Sequence, residues 1–342
     1  MHPVGLGNMS IALFGAGRDG IKALYEIGKE KINCFIDNTK RGEIEGVPIK
    51  KLSDINNNTV IYITSRKYCD EIVKQLLESD FTGFFIYENG EAKQYKDTNY
   101  LDRLTCTEWS EIYNKDLLDS VVKRVQNDDV SIQSLELLRL TSEGDQVLEI
   151  GCGSGETSLY LSKYGRNVSA IDYSRDVIEL VDMAQKLTTF KCKTYCLDAA
   201  ENLPFEKQQF DVVFQAGLLE HFQSEEQIEL LANWKDCCKK MVSLVPNAHS
   251  IAYRLGKFLA EKNGTWQYGL ETPQESLKEQ FEKAGLVNVK EYTIGDEHAL
   301  NFLPRDHYLH IALKQWILDM EQNERKTCGQ GYLLVTIGEN IS

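Results

Sequence analysis

The sequence lacks an excess of positive charge. Its 342 residues carry 38 lysines and arginines against 52 aspartates and glutamates, which gives a formal net charge of −14 at pH 7. A large nucleic-acid interface needs clustered Lys and Arg side chains to neutralise phosphates. The acidic balance therefore argues against DNA or RNA as the partner, although it is compatible with a local basic patch.

Long apolar runs and secretion signals are also missing. No apolar stretch approaches the roughly 18 residues of a membrane span, and residues 1–30 lack a basic start followed by an apolar core. The nine cysteines are scattered and form no CxxC pair, which favours reduced thiols over a disulfide or metal framework. We therefore expect a soluble, cytoplasmic protein without a metal site or a membrane partner.

The most informative stretch is Val147–Gly155, which reads Val-Leu-Glu-Ile-Gly-Cys-Gly-Ser-Gly. It predicts a buried strand over 146–150 that breaks into a loop with glycine at alternate positions, followed by a helix from Glu156. Glycine lets the backbone turn sharply and approach a ligand closely, because no Cβ stands in the way. The next apolar strand ends in Asp172, where a carboxylate can accept hydrogen bonds from both hydroxyls of a ribose. These features predict an adenosine-type ligand.

Residues 9–88 alternate strand-like and helix-like patterns, which predicts a small parallel α/β unit that is complete in itself. Residues 91–106 are polar and weakly patterned, so we predict a linker there, between an accessory domain at 1–90 and a second domain at 107–342. The strands predicted for the first domain are 10–14, 32–37, 60–64 and 83–87.

The second domain begins with helical patterns from Glu108 to Leu140, and a strand–helix rhythm resumes at Gln146. A further helix is predicted from about His307 to Met320, and Pro246–Pro273 is a long irregular stretch and a candidate lid. The predicted strands are 146–150, 167–171, 191–196, 210–215, 239–244, 287–293 and 331–337. The fold class is therefore α/β, with two tandem Rossmann-like domains, the second built on a mostly parallel seven-stranded sheet.

Four ordered motifs of the second domain resemble those of the class I S-adenosylmethionine-dependent methyltransferases. They match that family in type, order and spacing, whereas a dehydrogenase would need GxGxxG in the loop and has no place for the later motifs. The resemblance extends from about residue 105 to 342. The motifs are Glu149–Gly155, Ala170–Ser174 around Asp172, Leu197–Phe205 and Phe210–Phe222.

The resemblance implies a cofactor site at the carboxyl ends of the first four strands of this domain. Glu149 is expected either to brace the glycine loop or to meet the methionine ammonium group, and Gln215 and Ala216 are expected beside the sulfonium. The loop residues expected to line the methionine and ribose are Gly151, Cys152, Gly153 and Gly155.

The adenosine half of the ligand is implied to lie along the second and third strand ends. Asp172 is expected to grip both ribose hydroxyls, and Tyr173 offers a face to the adenine ring. Asp198 is suited to receive the adenine amino group, and Ala199 to donate a backbone amide to the ring edge.

Methyl transfer from a sulfonium is an in-line displacement that needs alignment, exclusion of water and, in some enzymes, a base. His221 follows the fourth strand and is a candidate base, with bracing of the cofactor pocket as the alternative. His249 and Tyr253 follow the fifth strand, at an edge where acceptors lie in this family. Trp109 and Tyr113 are candidates for closing over the cofactor or for core packing.

The first domain carries Gly15-x-Gly17-x-x-Gly20 after a strand, with Asp37 at the end of the next strand, which satisfies the local dinucleotide fingerprint. Phe35–Asn38 and Gly46–Ile49 also resemble Rossmann-like domains fused to sugar-modifying acyltransferases and methyltransferases. Those domains hold a nucleotide-linked sugar or no cofactor at all. A second nucleotide-type ligand, NAD among the candidates, and a purely structural or oligomerising role all stay open.

These patterns predict an S-adenosylmethionine-dependent methyltransferase with an accessory domain. The acidic balance and the accessory domain favour a small-molecule or glycan-type acceptor over DNA, RNA or protein. The alternative is a sensor or regulatory protein that binds S-adenosylmethionine or a nucleotide without transferase activity, because motifs establish the cofactor and not the chemistry. The sequence leaves the methylated atom and the oligomeric state open, with a homodimer as one candidate.

Overall fold

A computed structural model describes residues 10–94 except 58, 66, 80, 82 and 89, and residues 104–341 except 322, 323 and 325–327. The chain divides into two compact units, Met1–Cys106 and Thr107–Ser342. Most of the predicted linker, residues 95–103, lies outside the described residues.

The first unit is an α/β layer structure on a seven-stranded sheet. Its elements are β1 Ile11–Phe14, α1 Arg18–Ile27, β2 Ile32–Ile36, β3 Gly42–Ile44, β4 Val47–Lys50, β5 Val60–Ile63, α2 Cys69–Glu78, β6 Phe84–Glu88 and β7 Glu91–Gln94. The strand order is β3-β4-β2-β1-β5-β6-β7, parallel from β4 to β6 and antiparallel at both edges. All four residues of β5 are buried, as a central parallel strand covered on both faces requires.

The prediction of four parallel strands for this unit is incomplete. The structure adds the antiparallel hairpin of β3 and β4 on one edge and β7 on the other. These edge strands are short and polar, as Gly-Glu-Ile and Glu-Ala-Lys-Gln illustrate, so they carry no apolar run that a pattern search would find. Since β7 pairs with β6, residues 91–94 of the predicted linker form part of the first sheet.

The second unit carries seven strands and most of the helices. The strands are β8 Gln146–Ile150, β9 Asn167–Asp172, β10 Lys193–Cys196, β11 Phe210–Ala216, β12 Cys238–Pro246, β13 Val287–Ile294 and β14 Leu333–Glu339. The helices are α3 Cys106–Ile112, α4 Leu118–Gln126, α5 Ile132–Leu140, α6 Glu156–Lys163, α7 Arg175–Lys186, α8 Ser224–Lys235, α9 Ile251–Lys262, α10 Lys278–Lys283, α11 Asp296–Ala299 and α12 Tyr308–Asp319.

The second sheet has the order β10-β9-β8-β11-β12-β14-β13. Every pairing from β10 to β12 is parallel, and only β14 runs antiparallel to its neighbours. The predicted fold of two tandem α/β units is confirmed, with both sheets mixed rather than wholly parallel. The strand order reverses between β8 and β11, and in open α/β sheets ligands bind outside the carboxyl ends of the strands at such a point.

The prediction that Pro246–Pro273 is irregular throughout is wrong, because Ile251–Lys262 forms α9. This helix buries Ala252, Tyr253, Gly256 and Lys257, which share one helical face. A glycine and a lysine on that face interrupt the apolar stripe, and for that reason the helix is hard to recognise in the sequence.

None of the helices in the described ranges has the length and apolar character that crossing a bilayer requires. All nine cysteines are described and carry free thiols. The cytoplasmic location stays a prediction.

Candidate functional site

The glycine loop after β8 adopts a backbone that only glycine adopts readily. Gly151, Gly153 and Gly155 have φ values of +70°, +50° and +72°, in the left-handed region where a Cβ is disfavoured. A Cβ on Gly155 would lie 2.6 Å from the Val181 side chain of α7. A Cβ on Gly153 would lie 3.1 Å from the ring of Tyr113. The loop is therefore packed tightly beneath α7 and covered by Tyr113.

Hydrogen bonds within the protein hold this loop in place. The amides of Gly151 and Cys152 donate to the carbonyl of Ile171 at 2.9 and 3.0 Å, and the amide of Gly155 donates to the carbonyl of Cys152 at 2.9 Å. These three amides brace the loop. The part of the loop that lies beneath Tyr113 is the backbone of Gly153, which has no side chain.

Asp172 lies at the end of β9, beside the glycine loop, and is 8% exposed. Its Oδ2 accepts the amide of Gly153 at 3.3 Å, and its Oδ1 accepts the amide of Ser174 at 2.9 Å. The Ser174 hydroxyl lies 2.7 Å from that of Ser110 on α3, so α3 docks onto the same edge. A carboxylate accepts up to about four hydrogen bonds, so Asp172 has the capacity to accept from ribose hydroxyls as well as from these amides.

Glu149 is buried at the end of β8 and accepts a hydrogen bond from the Ser158 hydroxyl of α6. Burial raises the pKa of this carboxyl to about 8, because a charged form loses its hydration there. The observed contact braces α6, which differs from both predicted roles of Glu149, bracing of the glycine loop and contact with the methionine ammonium group.

Tyr173, Asp198 and Ala199 follow the ends of β9 and β10 and are partly exposed. The Tyr173 carbonyl accepts from the thiol of Cys196 at 3.5 Å. Asp198 caps its own turn by accepting the amide of Ala200 at 2.9 Å, and the Ala199 carbonyl accepts the Trp234 indole N–H at 2.7 Å. These contacts fix a third strand end beside the second.

Gln215 is fully buried at the end of β11. Its side-chain oxygen accepts the amides of Leu218 and Leu219 at 2.9 and 3.3 Å, and its amide nitrogen donates to Ser243. Gln215 therefore holds the turn that follows β11. Ala216 precedes that turn and is partly exposed.

Two of the three predicted catalytic residues, His221 and Tyr253, contact the segment Leu270–Glu271. His221 Nδ1 lies 2.6 Å from the carbonyl of Leu270, and since a carbonyl only accepts, we assign the proton of the neutral ring to Nδ1. The Trp109 ring meets the imidazole edge-on at 5.1 Å. Tyr253 is fully buried, and its hydroxyl donates to Glu271.

His249 lies apart from this pair. It lines a shallow surface groove with Arg254 and Phe258, and its own amide donates to the side chain of Asn247 at 2.9 Å.

Two carboxyls, the buried Glu220 and the partly buried Glu271, belong to the candidate site but were not among the residues predicted from sequence. Burial raises the pKa of Glu220 well above its ordinary value, and the charge of Glu271 raises it further. Burial alone raises the pKa of Glu271 to about 8. A signal for Glu220 existed, namely an acidic residue inside the apolar run Leu218–Phe222. No pattern marks Glu271. Within the described residues no cluster of His, Cys, Asp and Glu side chains is suited to hold a metal ion.

In the first unit, Asp37 is committed to its own glycine loop. Its Oδ2 accepts the amide of Ala16 at 3.0 Å, and its Oδ1 accepts the amides of Thr39 and Lys40 at 2.9 and 2.8 Å. The Lys40 ammonium donates to the carbonyl of Ala16 at 2.6 Å. The pair Asp37 and Lys40 thus closes the loop from one side.

The glycines of this loop differ in what they require. A Cβ on Gly20 would lie 1.8 Å from the Gly15 carbonyl oxygen, whereas a Cβ on Gly17 would meet nothing within 4 Å. Gly20 is needed for packing, and Gly17 borders open space within the described part of the unit.

Residues 147–241 match the family model described as a methyltransferase domain. The chain carries a methyltransferase domain. The match begins in β8 and ends in β12, so the methyltransferase domain includes the glycine loop, Asp172, Asp198 and Gln215.

The methyltransferase domain also has curated relatives. The chain is 30% identical over 79 residues to a ubiquinone biosynthesis O-methyltransferase of Hydrogenovibrio crunogenus, which is 23% of this chain and 33% of that protein. It is 30% identical over 90 residues to the protein of the same name from Coxiella burnetii, 26% of this chain and 38% of that protein. The matches thus span little more than a third of these relatives.

Among solved structures, the chain resembles a SAM dependent methyltransferase from Archaeoglobus fulgidus with a TM-score of 0.44 and 21% identity, covering 61% of this chain and 93% of that one.

Proposed function

We propose that this chain is an S-adenosylmethionine-dependent methyltransferase that acts on a small-molecule or glycan-type acceptor. The observation that carries the proposal is the methyltransferase-domain match over residues 147–241, which falls on the strand ends where Asp172 sits beside the glycine loop. The relatives' name refers to O-methylation in ubiquinone biosynthesis, which supports a small-molecule acceptor in general. It does not fix the acceptor of this chain.

The residues present fit the cofactor. The backbone of Gly153, which bears no side chain, the carboxylate of Asp172 and the partly exposed Tyr173 and Asp198 would hold its methionine, ribose and adenine parts in that order along the strand ends. The bound cofactor supplies an electrophilic methyl group on a sulfonium. Cys152, Ala199 and Ala216 are proposed as lining residues, with Glu149 and Gln215 bracing the site.

The part that His221 plays follows from its hydrogen bond. Leu270 fixes the ring and leaves Nε2 as the nitrogen that carries no proton in the neutral form. We propose His221 as the residue that orients the acceptor or receives its proton, and Tyr253 as a residue that acts through Glu271. His249 is a weaker candidate, because it lines a separate groove.

Calorimetry with S-adenosylhomocysteine, the demethylated product, tests the cofactor site directly. Binding that Asp172→Ala removes is the expected result, and unchanged affinity in that variant would overturn the assignment. Incubation of cell-extract metabolites with methyl-labelled cofactor then separates an enzyme from a sensor: labelled product is expected, whereas cofactor binding without any label transfer would favour the binding-only alternative.

A second ligand in the first unit is proposed on one observation. In the dinucleotide fingerprint the second glycine permits close approach of a pyrophosphate, and Gly17 is the glycine whose Cβ position is open. A thermal-shift series with NAD, a UDP-sugar and coenzyme A tests this site. A stabilisation that Gly17→Val removes would support it, and the absence of any shift would favour a structural or oligomerising role.

A further inference from the structure

Two carboxyls of the second unit lie on paired backbone segments, and among the described residues neither forms an ion pair. Glu220 is 2% exposed, and its Oε2 has no hydrogen-bond partner among the described residues. Glu271 is partly buried and accepts the Tyr253 hydroxyl. The backbone segments that carry the two residues are paired, since the Thr272 amide donates to the Glu220 carbonyl at 2.9 Å. The segment that carries Glu271 is thereby fixed against the turn that carries Glu220.

The cationic side chains that line the cavity at Glu271 are engaged elsewhere. Lys257 and Arg254 line the same cavity of about 260 Å³ as Glu271. The Lys257 ammonium pairs with Glu261 and lies 4.3 Å above the Trp266 ring, and the Arg254 guanidinium donates to the Ala248 carbonyl at 3.1 Å. Neither forms an ion pair with Glu220 or Glu271 in the part of the chain that is described.

Tyrosine rings lie near the two carboxyls, and the Tyr253 hydroxyl donates to Glu271. Tyr253 and Tyr332 lie 5.2 Å apart, centre to centre. Tyr113 and Tyr268 share the electrostatic environment of Tyr332, whose pKa is raised first by burial and then by Glu271, Glu220 and these two tyrosines. Tyr113 also covers Gly153 of the glycine loop. The cluster therefore extends from the proposed cofactor loop to the cavity at Glu271.

An orphaned carboxyl oxygen in such a place is costly. A buried polar atom without a partner destabilises the protein, and the cost is greater for a charged group. A hydrogen-bond donor on a ligand would satisfy this atom, and a positively charged ligand would also compensate the carboxylate charge, which a neutral ligand would not do. Aromatic faces also attract ammonium groups.

We propose that Glu220 and Glu271, together with the neighbouring Tyr113, Tyr253, Tyr268 and Tyr332, form the acceptor pocket and that this pocket recognises an acceptor carrying an ammonium group. This rests on the proposed methyltransferase function and adds the chemical class of the acceptor. Glu271, Tyr268 and Tyr332 lie beyond residue 241, outside the family match, so the match itself does not account for this part of the pocket.

The test compares two probes of equal shape and different charge on the full chain loaded with S-adenosylhomocysteine. Choline is the cation, and dimethylbutanol, in which carbon replaces the nitrogen, is its neutral counterpart. We expect choline to bind at least about tenfold more tightly, a difference of about 1.4 kcal/mol. We also expect choline binding near pH 7 to release protons, seen as a dependence of the calorimetric enthalpy on buffer, because a cation favours the charged carboxylates.

Glu220→Gln and Glu271→Gln are each expected to abolish the preference for choline and the proton release. Glu261→Gln is the matched control, since Glu261 lines the same cavity but pairs with Lys257, and it should keep both. Melting temperatures check that each variant folds, and two independent variants keep the test open if one does not.

Equal affinity for the two probes, no binding of choline, or a preference that survives both substitutions would overturn the proposal. Failure of the proposed function looks different, because S-adenosylhomocysteine itself would not bind. Both probes are therefore titrated into the unloaded chain as well, which tests the pocket whatever the cofactor result.

Discussion

In the first unit the described residues bury threonine hydroxyls but no charged side chain, whereas the second unit buries carboxyls and one ammonium group. The buried charged residues of the second unit are Glu136, Glu149, Glu156, Asp172, Glu220 and Lys257. Burial of a charge is unfavourable unless partners compensate it. The two units have similar sheets but differ in their buried side chains, because the buried carboxyls that could take part in catalysis or binding lie in the second unit.

The two glycine loops sharpen this comparison. In both, an aspartate at the end of the next strand accepts a loop amide, from Ala16 to Asp37 at 3.0 Å and from Gly153 to Asp172 at 3.3 Å. What differs is the surroundings: Tyr113 covers Gly153, whereas Gly17 borders open space. The loop and its aspartate establish a local shape, and the residues around them decide what that shape can bind.

The largest expected contrast is in cofactor affinity. Asp172→Ala should weaken S-adenosylhomocysteine binding at least about a hundredfold, because each hydrogen bond to a charged group contributes about 1.5–3 kcal/mol. Asp37→Ala is the matched change in the first unit and should leave that affinity unchanged. Calorimetry on both variants checks this, and an equal loss in both would remove the functional distinction between the loops.

A smaller contrast is expected in stability. Gly155→Ala should cost about 2 kcal/mol or more, because it places a Cβ in a left-handed conformation and against Val181. Gly17→Ala should stay within about 0.5 kcal/mol, since its Cβ enters open space. Urea unfolding midpoints of the two variants measure the difference. A large loss for Gly17→Ala would mean that its surroundings are packed.

The smallest expected contrast is in the pH dependence of stability, and the sign of this dependence differs between the two units. Glu149 and Glu271 have pKa values of about 8, against 4.5 for an ordinary glutamate. The folded state binds the extra protons, so their contribution to stability is complete below about pH 4.5 and is lost as the pH rises through about 8. Glu149→Gln should therefore gain melting temperature relative to wild type between about pH 5 and 8. A difference independent of pH would contradict the raised pKa.

Asp37 should behave in the opposite way. Partial burial raises its pKa, but the backbone amides of Lys40, Thr39 and Ala16 outweigh burial, and the pKa lies below its ordinary value of 3.8. Its contribution is present above that pH and is lost as the pH falls through the lowered pKa. Asp37→Asn should have a lower melting temperature than wild type, and this difference should become smaller only at acid pH. A difference in melting temperature that persists at low pH would indicate lost packing instead.

Prediction from sequence succeeded where a regular pattern carries the signal. The strands β8 to β14 and the helix α12 were located because apolar runs of ordinary length mark them. It was less successful with α9, whose buried face includes Gly256 and Lys257, and with the edge strands β3 and β7, which are short and polar.

For the candidate site, the sequence predicted which residues lie at the strand ends but not the direction in which their side chains point. Gln215 lies at the predicted strand end, yet its side chain turns back to hold Leu218 and Leu219. Glu271 lies in a segment without periodicity, and contacts with distant residues bring it to the site: the Thr272 amide donates to the Glu220 carbonyl, and the Leu270 carbonyl accepts from His221. Such contacts depend on tertiary packing between distant segments, which local pattern does not encode.

The insertion of β14 between β12 and β13 has a consequence for synthesis of the chain. Among the described strands, β13 lies at the edge of the sheet and pairs with β14 alone. On the ribosome, residues 287–294 therefore emerge well before the strand that they pair with, and the edge of β12 stays open for the same interval. Unpaired strand edges invite association between chains. A chain interrupted before Leu333 would carry a methyltransferase domain with its motifs intact and its sheet unfinished.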